Sequence, residues 1–469
     1  MQPPYGRKVI TTSKDKVTAE NLIEVLQKAL PIHNKNKSDI DYLYNYFRGK
    51  TPILNRTKKH RTEICNKVNE NHAQEIIDFK VGYLLTEPCT YVRRGDNESV
   101  SSKINTLNDF MYTEGKPLLD RQLVEWFEIC GVAYRMVVPD AASEQDESPF
   151  ELDVLDPRNT FLIYHSGFGK RPLAAVMLQK DEQGNDLEIV YTPNMYFEVK
   201  GDKIIRNQPH SLGSIPIIEY RGTSSLIGAF EPVLDIMDAL NLLTSNRLDG
   251  VEQFIQSVMV FVNADISTDG FEELKEKGAI KVVSQEGNVA KIEILSSELN
   301  QEQTQVLVDY LYQQLLAKTG LPSTTKGGSS TSDTGSAVLL RDGWQQAETR
   351  ARATETLFVE AEKLFLKTVL HISKDMRGLD LKLSDISIKF TRHITDNALV
   401  KVQALTGMLN AGINPQVAIS HCGMFHDPAD VYAQSKEYLK KWEVNTNGVQ
   451  EKTSEKAEIK EGGNARGTM

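Results

Sequence analysis

The sequence has 469 residues, a formal net charge of -10 and four scattered cysteines. Its length leaves room for roughly three domains, and a content of 40% hydrophobic and 25% charged residues is ordinary for a globular protein. The acidic balance argues against a protein held on nucleic acid by phosphate contacts. The cysteine spacing argues against a disulfide framework, and no run reaches the ~18 apolar residues of a membrane span, so we expect a soluble intracellular protein.

The first 225 residues predict a mixed α/β body. Residues 1–16 lack apolar periodicity and are predicted to form a flexible arm. Apolar spacing predicts helices over 18–30 and 62–85. His72 lies on the apolar face of the second helix and is interpreted as a hydrogen-bonded core histidine in preference to a ligand. The basic run between 56 and 61 is interpreted as a solvated turn in preference to a phosphate contact. Further elements follow in order: a helical turn at 38–49, a helix at 118–130, and strands at 90–92, 135–138, 150–155, 174–179, 187–192, 195–200 and 203–206.

Residues 230–319 predict two helices separated by a small insert. The first helix, 231–256, has apolar residues at a period close to 3.6. Its opposite face is acidic and consists of Glu231, Asp235, Asp238, Asp249 and Glu252. The insert, 257–299, is predicted to contain strands at 258–262, 279–283 and 289–294 and a short helix at 271–276. Because so small a unit buries little surface alone, we expect its strands to pair with those of a neighbouring chain. The second helix begins near the cap residue Asn300 and ends before Gly320.

A polar loop and a very long helix come next. Residues 322–335 include no large apolar side chain, so they predict a mobile loop. No strand precedes this loop and no Gly-Lys-Ser/Thr ends it, so the pattern of a phosphate-binding loop fails. Apolar residues then recur in steps of four and three from 336 to 374, with Gly343 as the single weak point. Such a helix would be roughly 58 Å long, which is longer than a small domain is wide. It must therefore extend out of its own domain, connect two modules or pack on another subunit. A long helix in an isolated bundle or coiled coil is the alternative.

The carboxy-terminal region predicts strands over 379–390, three short helices and a disordered tail over 444–469. The helices are predicted at 398–410, 415–421 and 428–441. His421, Cys422 and His426 are the only cluster with metal-like spacing, and we interpret them as local packing because no fourth ligand accompanies them. The sequence contains no catalytic set, so we predict neither an enzyme nor a cofactor or metal.

Several short motifs occur in a fixed order along the chain. They are Tyr46-Phe47-Arg48-Gly49, Ile53-Leu54-Asn55-Arg56, Asn66-Lys67-Val68-x-Glu70-Asn71, Lys80-Val81-Gly82-Tyr83-Leu84-Leu85-x-Glu87-Pro88, Gly131-Val132-Ala133-Tyr134 and Asp156-Pro157-Arg158-Asn159-Thr160-Phe161. Together with the order of modules, they resemble the portal proteins of tailed bacteriophages, in the branch typical of siphophages of Gram-positive bacteria. The resemblance extends from about Tyr42 to Leu439.

The resemblance implies an α+β portal subunit divided into named parts. After the arm at 1–16, these are a wing (17–225 with 377–397), a first stem helix (226–256), a clip (257–299), a second stem helix (300–319), a tunnel loop (320–335), a long wing helix (336–376), a crown of helices (398–443) and the tail (444–469). The resemblance implies that the subunits form a dodecameric ring at one capsid vertex.

The resemblance also implies partners and site residues. The partners are double-stranded DNA passing through the channel without sequence preference, the terminase large subunit, a head-completion or adaptor protein, and the major capsid or scaffolding protein. Tunnel-loop contacts to DNA are expected from Ser323, Thr324, Thr325, Lys326, Gly327, Gly328, Ser329 and Ser330. The five acidic residues of 231–256 would face the channel and repel phosphate. Docking of partners is expected at Phe271, Glu272, Glu273 and Lys275 of the clip.

Two other classes of protein remain open. A different oligomeric virion connector or adaptor would lack the clip-like insert and would usually be shorter. An uncharacterised enzyme on an α/β body would need a catalytic set. A ring seen by electron microscopy would favour the portal hypothesis, whereas a stable monomer that turns over nucleotide would favour the enzyme hypothesis.

Overall fold

The chain is a mixed α/β protein in the computed structural model, which describes residues 5–59, 62–94, 100–144, 147–255, 258–262, 291–295, 301–323, 343–392, 398–425, 428 and 430–439. The helices are α1 (Leu22–Phe47), α2 (His72–Leu84), α3 (Ser101–Thr113), α4 (Lys116–Cys130), α5 (Leu234–Ile255), α6 (Gln301–Thr319), α7 (Trp344–Arg377), α8 (Ala398–Asn410) and α9 (Pro415–Cys422). The strands are β1 (Ile10–Thr12), β2 (Thr90–Arg93), β3 (Val132–Pro139), β4 (Phe150–Leu155), β5 (Thr160–His165), β6 (Pro172–Lys180), β7 (Asp186–Tyr191), β8 (Met195–Lys200), β9 (Lys203–Pro209), β10 (Ile217–Arg221), β11 (Val258–Val262), β12 (Lys291–Leu295) and β13 (Ile386–Lys389).

A six-stranded sheet in the order β1-β5-β6-β7-β8-β9 forms one layer of the body. From β5 to β9 the strands are antiparallel neighbours, as the alternating apolar residues predict. The β8–β9 turn is tight, with Lys200 opposite Lys203 and Gly201 at φ 59°, so the predicted hairpin is confirmed. The amino-terminal half of α1 covers this sheet with Val25 and Leu26.

The larger core lies between helices and the three-stranded sheet β10-β3-β4. α4 packs on one part of this sheet and α7 on another. The buried residues of α7 include Phe358, Phe365 and Val369, which recur at near-helical spacing along one face. A further pair, β2 and β13, joins the early chain to the strand that follows α7. The long helix is therefore packed into its own subunit along this face.

The amino-terminal arm is not free over residues 7–12. β1 pairs in parallel with β5, placing Ile10 opposite Ile163. The Arg7 amide donates a hydrogen bond to the Leu226 carbonyl at 3.0 Å. The prediction of a flexible arm is wrong here, because a three-residue strand is too short to show periodicity in the sequence.

α1 is one continuous helix where the sequence predicts two separate segments. Pro31 lies inside α1 and removes one backbone hydrogen bond, a change that costs about 3 kcal/mol in a helix interior. The helix continues because both of its halves are buried. Val25 packs in the sheet core, whereas Leu43 and Tyr46 pack in the larger core. α1 thus joins the two cores.

Two other helix boundaries differ from the predictions. The helix predicted over 62–85 begins only at His72, and the residues before it have no regular secondary structure. The long helix begins at Trp344, because Gly343 adopts φ 82°, a left-handed conformation that ends helical geometry. The predicted portion over 336–342 lies outside the described residues. The helices predicted at 398–410 and 415–421 are confirmed within one residue.

Candidate functional site: a helical hairpin and its attachment to the body

α5 and α6 pack against each other as a helical hairpin. Arg247 of α5 donates a hydrogen bond to the Gln305 side-chain oxygen of α6 at 2.6 Å. β11 and β12 lie between these helices in the chain and pair antiparallel, with Val258 opposite Leu295. β11 and β12 therefore pair with each other within the subunit, and the expectation that strands of the insert also pair with a neighbouring chain stays a prediction. The strand and helix predicted at 279–283 and 271–276 lie outside the described residues.

An extended segment of the body, residues 66–70, lies along α5 and is called the strap below. The backbone amides of Asn66, Val68 and Glu70 donate hydrogen bonds to side-chain oxygens of α5. Their acceptors are Asp249 at 2.7 Å, Ser245 at 2.9 Å and Asn241 at 3.0 Å. The acceptors are four residues apart on α5, a rise of about 6.0 Å, and the donors are two residues apart in the extended strap, a rise of about 6.7 Å. The two spacings nearly match, so each donor lies beside its acceptor.

Asp249 is the most heavily bonded acceptor of this contact. The side chains of Arg56 and Lys58 approach its carboxylate to 2.9 and 2.5 Å. Burial alone would raise the pKa of Asp249, but hydrogen bonds from Lys58 and Asn66 and the charge of Arg56 lower it to about 2. The interpretation of 56–61 as a solvated turn is wrong for Arg56 and Lys58, because both neutralise a carboxylate 190 or more residues away in sequence.

His72 joins the end of the strap to both helices of the hairpin. Its ring nitrogens lie 2.7 Å from a Glu70 oxygen and 2.9 Å from a Glu75 oxygen. Glu70 in turn accepts a hydrogen bond from Thr244 of α5, and Glu75 accepts one from Tyr312 of α6. Burial lowers the pKa of His72, but the two carboxylates outweigh it and raise the pKa to about 9. The predicted hydrogen bonding of His72 is confirmed, but its partners are carboxylates and the half-buried ring lies between the strap and the hairpin instead of in the apolar core.

The acidic residues of the first predicted helix do not form one exposed face. Glu231 is only 1% exposed and pairs with Arg7, while the backbone amides of Gly6 and Gly228 also donate to it. Asp249 is held by the strap, and Asp238 accepts a hydrogen bond from Tyr46 at 2.8 Å. The expectation of a free acidic face is wrong for Glu231 and Asp249, because their own body covers them. Asp235 is exposed and Glu252 is half-buried.

The exposed surface of the hairpin includes several large apolar side chains beside polar ones. On α6, Val306 is 69% exposed and Tyr310 is 59% exposed. Among the described side chains of the two helices, the exposed large apolar ones are Leu242, Leu248, Val251, Val306, Leu307 and Tyr310. Such a concentration on one element is typical of a surface that contacts another chain.

Four charged residues are buried where α4, β3 and α7 meet. Lys116 and Arg135 provide the positive charges, and Asp120 and Glu362 the negative ones. Tyr91 and Tyr220 also donate hydrogen bonds to Glu362. Sequence patterns do not reveal this cluster, because only Lys116 and Asp120 are close to each other along the chain. Its partners satisfy Glu362 fully and fix α7 against the sheet.

The sequence was compared with models of known protein families. Residues 26–452 match the family described as phage portal protein, SPP1 Gp6-like. The chain belongs to this portal protein family. Among curated proteins, the portal protein of Bacillus phage SPP1 is 22% identical over 415 residues, covering 81% of this chain and 78% of that protein.

Solved structures add two remote likenesses. One is the neck of an empty gene transfer agent particle computed with C6 symmetry, with a TM-score of 0.48, 12% identity and coverage of 82% of this chain and 94% of that chain. The other is the virion of a native gene transfer agent particle, with a TM-score of 0.43, 11% identity and coverage of 80% and 89%. The family assignment rests on the sequence match.

The chain is therefore a structural portal subunit of the phage particle, the connector between head and tail, and its family is not enzymatic. Portal proteins form oligomeric rings in the particle. Within the part of the portal chain that the structure describes, no helix is long and apolar enough to cross a membrane, and no three potential ligands converge on a metal site. Cys422 is buried and its thiol contacts the Ile419 carbonyl, whereas His426 lies outside the described residues.

The structure describes one residue of the predicted tunnel-loop set. The Ser323 hydroxyl donates a hydrogen bond to the Gln313 side chain of α6 at 2.6 Å. Thr324–Ser330 lie outside the described residues, as do the clip residues Phe271, Glu272, Glu273 and Lys275.

Proposed function

We propose that the helical hairpin is the stem of the portal ring and that its exposed apolar residues are the contact between neighbouring subunits. A ring requires two different surfaces on each subunit, because each copy contacts one neighbour with each side. The exposed stripe of α6, with Val306 and Tyr310, supplies one such surface. Leu242 and Val251 of α5 supply the second. Val306 and Tyr310, exposed in the single subunit, carry this proposal.

The other parts of the subunit are assigned from the family resemblance. The wing comprises 17–225 with 377–397 and the long helix 336–376. The clip comprises 257–299, and the crown 398–443. Support for the wing comes from the pairing of β13 with β2, which returns the chain after α7 to the body. We assign a dodecamer as the ring.

The proposed channel conducts double-stranded DNA without sequence preference. The tunnel loop, 320–335, contains Lys326 as its only charged side chain besides Asp333, so its contacts with phosphate would be weak. Asp235 and Glu252 are the acidic residues of α5 that remain candidates for the channel wall, where they would repel phosphate and prevent DNA from adhering. Weak contact and repulsion together suit a channel through which DNA must move.

The proposed protein partners bind at opposite parts of the ring. The clip, including Phe271, Glu272, Glu273 and Lys275, is the proposed docking site for the terminase large subunit and later for a head-completion or adaptor protein. The wing and crown are the proposed contacts with the major capsid or scaffolding protein. These assignments follow the family resemblance.

The stem contact is tested by placing charge on the exposed stripe. The double variant Val306→Glu with Tyr310→Glu should remain folded, since both side chains are exposed, but should not form rings because carboxylates would be buried at the contact. Leu364→Glu is the matched control, since Leu364 is an exposed apolar residue of α7 away from the hairpin. Native mass measurement distinguishes ring from monomer. Normal rings from the double variant would refute the proposed contact.

The tunnel-loop role is tested by deleting residues 323–332. Rings should still form, whereas packaging or retention of DNA in heads should be impaired. Heads filled with a normal amount of DNA would refute the role of the loop.

A further inference from the structure

The end of α6 and the start of α7 meet at one point, which we call the joint. It comprises residues 317–323 and 343–350. A Cβ atom built on Gly343 would lie 3.7 Å from the Pro322 Cα and 3.8 Å from the Ser323 backbone nitrogen. The chain therefore leaves the joint after Ser323 and returns to it at Gly343.

Arg350 of α7 holds the last turn of α6. Its Nη1 donates a hydrogen bond to the Lys318 carbonyl at 2.6 Å, and its Nη2 lies 3.5 Å from the Ala317 carbonyl. Gln346, one turn earlier on α7, also donates to the Ala317 carbonyl at 3.3 Å. The last carbonyls of a helix have no hydrogen-bond partner within the helix, and they form the negative end of its dipole. A guanidinium donates hydrogen bonds to these carbonyls and places a positive charge beside the negative end of the dipole.

Arg350 forms no ion pair with a carboxylate of the described residues. Across the described part of the chain, no carboxylate lies within 4.0 Å of its guanidinium. A small cavity beside it is lined by Phe79 and Tyr83 and also by Glu128, whose carboxylate pairs with Lys80 at 3.7 Å. The electrostatic partner of Arg350 is therefore the end of α6.

Gly320 makes room for this side chain. Its φ of 78° is left-handed, and its amide and that of Leu321 both donate to the Leu316 carbonyl, at 2.8 and 3.0 Å. A Cβ at position 320 would lie 2.4 Å from Arg350 Cδ and 2.6 Å from Nε. Any other residue would thus both strain the backbone and displace the arginine.

We infer that Arg350 is the positioning residue of the joint and makes the end of α6 and the start of α7 move as one unit. This inference rests on the proposed role of 320–335 as the loop that meets DNA. A force on that loop would pass to both helices through the joint, instead of separating them. Without the guanidinium, α6 and α7 would be connected at this point only by the covalent chain and weaker contacts.

The test uses full-length rings of Arg350→Met, with Arg352→Met as the matched control. Arg352 lies on the same helix, but it is largely exposed and pairs with Glu348 within α7. Hydrogen exchange of the Gly320 and Leu321 amides should become at least about tenfold faster in Arg350→Met and stay unchanged in the control. Gly320→Ala should give the same increase, and combining it with Arg350→Met should add little, because both remove the same contact.

A second readout links the joint to function. Arg350→Met should form rings in normal yield yet retain less DNA in heads than the control variant. Unchanged exchange at Gly320 and Leu321 would overturn the joint itself. Faster exchange with normal DNA retention, in a phage whose 323–332 deletion does impair retention, would overturn the positioning role. If the deletion has no effect either, the proposed function of the loop fails, while the exchange result still decides the joint.

Discussion

Asp249 holds Asn66 by two hydrogen bonds, because one carboxylate oxygen accepts both its backbone amide at 2.7 Å and its side-chain amide at 2.9 Å. The same carboxylate neutralises Arg56 and Lys58. Residues of the amino-terminal body are thereby fixed to the helix that we assign to the stem. The carboxylate acts within the subunit, between the body and the hairpin.

Replacing Asp249 with Asn should destabilise the subunit. The substitution leaves two positive charges without their carboxylate in a largely buried position, and the expected loss is about 3 kcal/mol in the free energy of unfolding. Urea unfolding followed by circular dichroism measures it. Asp235→Asn is the control, since Asp235 is exposed, and should change stability by less than about 0.5 kcal/mol. Equal stability of the two variants would contradict the assigned role of Asp249.

His72 should make the attachment of the hairpin depend on pH. Its pKa is raised from 6.5 to about 9, so the charged form is favoured by folding. The stabilisation is then fully present below pH 6.5 and is lost as the pH rises through about 9. Relative to His72→Gln, the wild-type protein should lose on the order of 2 kcal/mol of stability over this range. Thermal unfolding of both proteins between pH 6 and 10 measures the difference, and parallel curves would speak against it.

The buried charge cluster predicts a large effect at Glu362. Glu362→Gln would leave Lys116 and Arg135 with one carboxylate between them in a site closed to water, and should cost about 3–5 kcal/mol. Glu360→Gln is the control, because Glu360 pairs with Lys363 on the exposed side of α7. Chemical unfolding distinguishes them. A loss below about 1 kcal/mol for Glu362→Gln would show that the cluster does not fix α7.

Pro31 offers a stabilising substitution. It lies on the exposed side of α1, and alanine would restore the missing backbone hydrogen bond and remove the ring clash. Pro31→Ala should raise the free energy of unfolding by about 2 kcal/mol. Thermal unfolding provides the measurement. A melting temperature below that of the wild-type protein would contradict this expectation.

Elements with strong local patterns could be predicted from the sequence. The strands Phe150–Leu155 and Met195–Lys200 and the helix Ala398–Asn410 have the predicted bounds, since alternation, hairpin turns and helical spacing involve neighbouring residues only. The family was also recognisable, because its motifs are short and ordered along the chain.

The attachment of the hairpin could not be predicted from local patterns. The strap at 66–70 has helix-like apolar spacing, but its amides bond to side chains of α5 more than 170 residues later. Glu362 similarly accepts a hydrogen bond from Arg135, which lies 227 residues earlier in the sequence. The apparent acidic face of 231–256 fails for the same reason, because the bases that cover Glu231 and Asp249 lie in the amino-terminal body. Local spacing contains no information on such partners.

Electron cryomicroscopy of the assembled ring tests the central proposal most directly. We expect rings in which the α5–α6 hairpins surround a central channel. Val306 and Tyr310 of each subunit should pack against α5 of its neighbour. Rings in which the hairpins point away from the axis, or in which this stripe faces solvent, would contradict it.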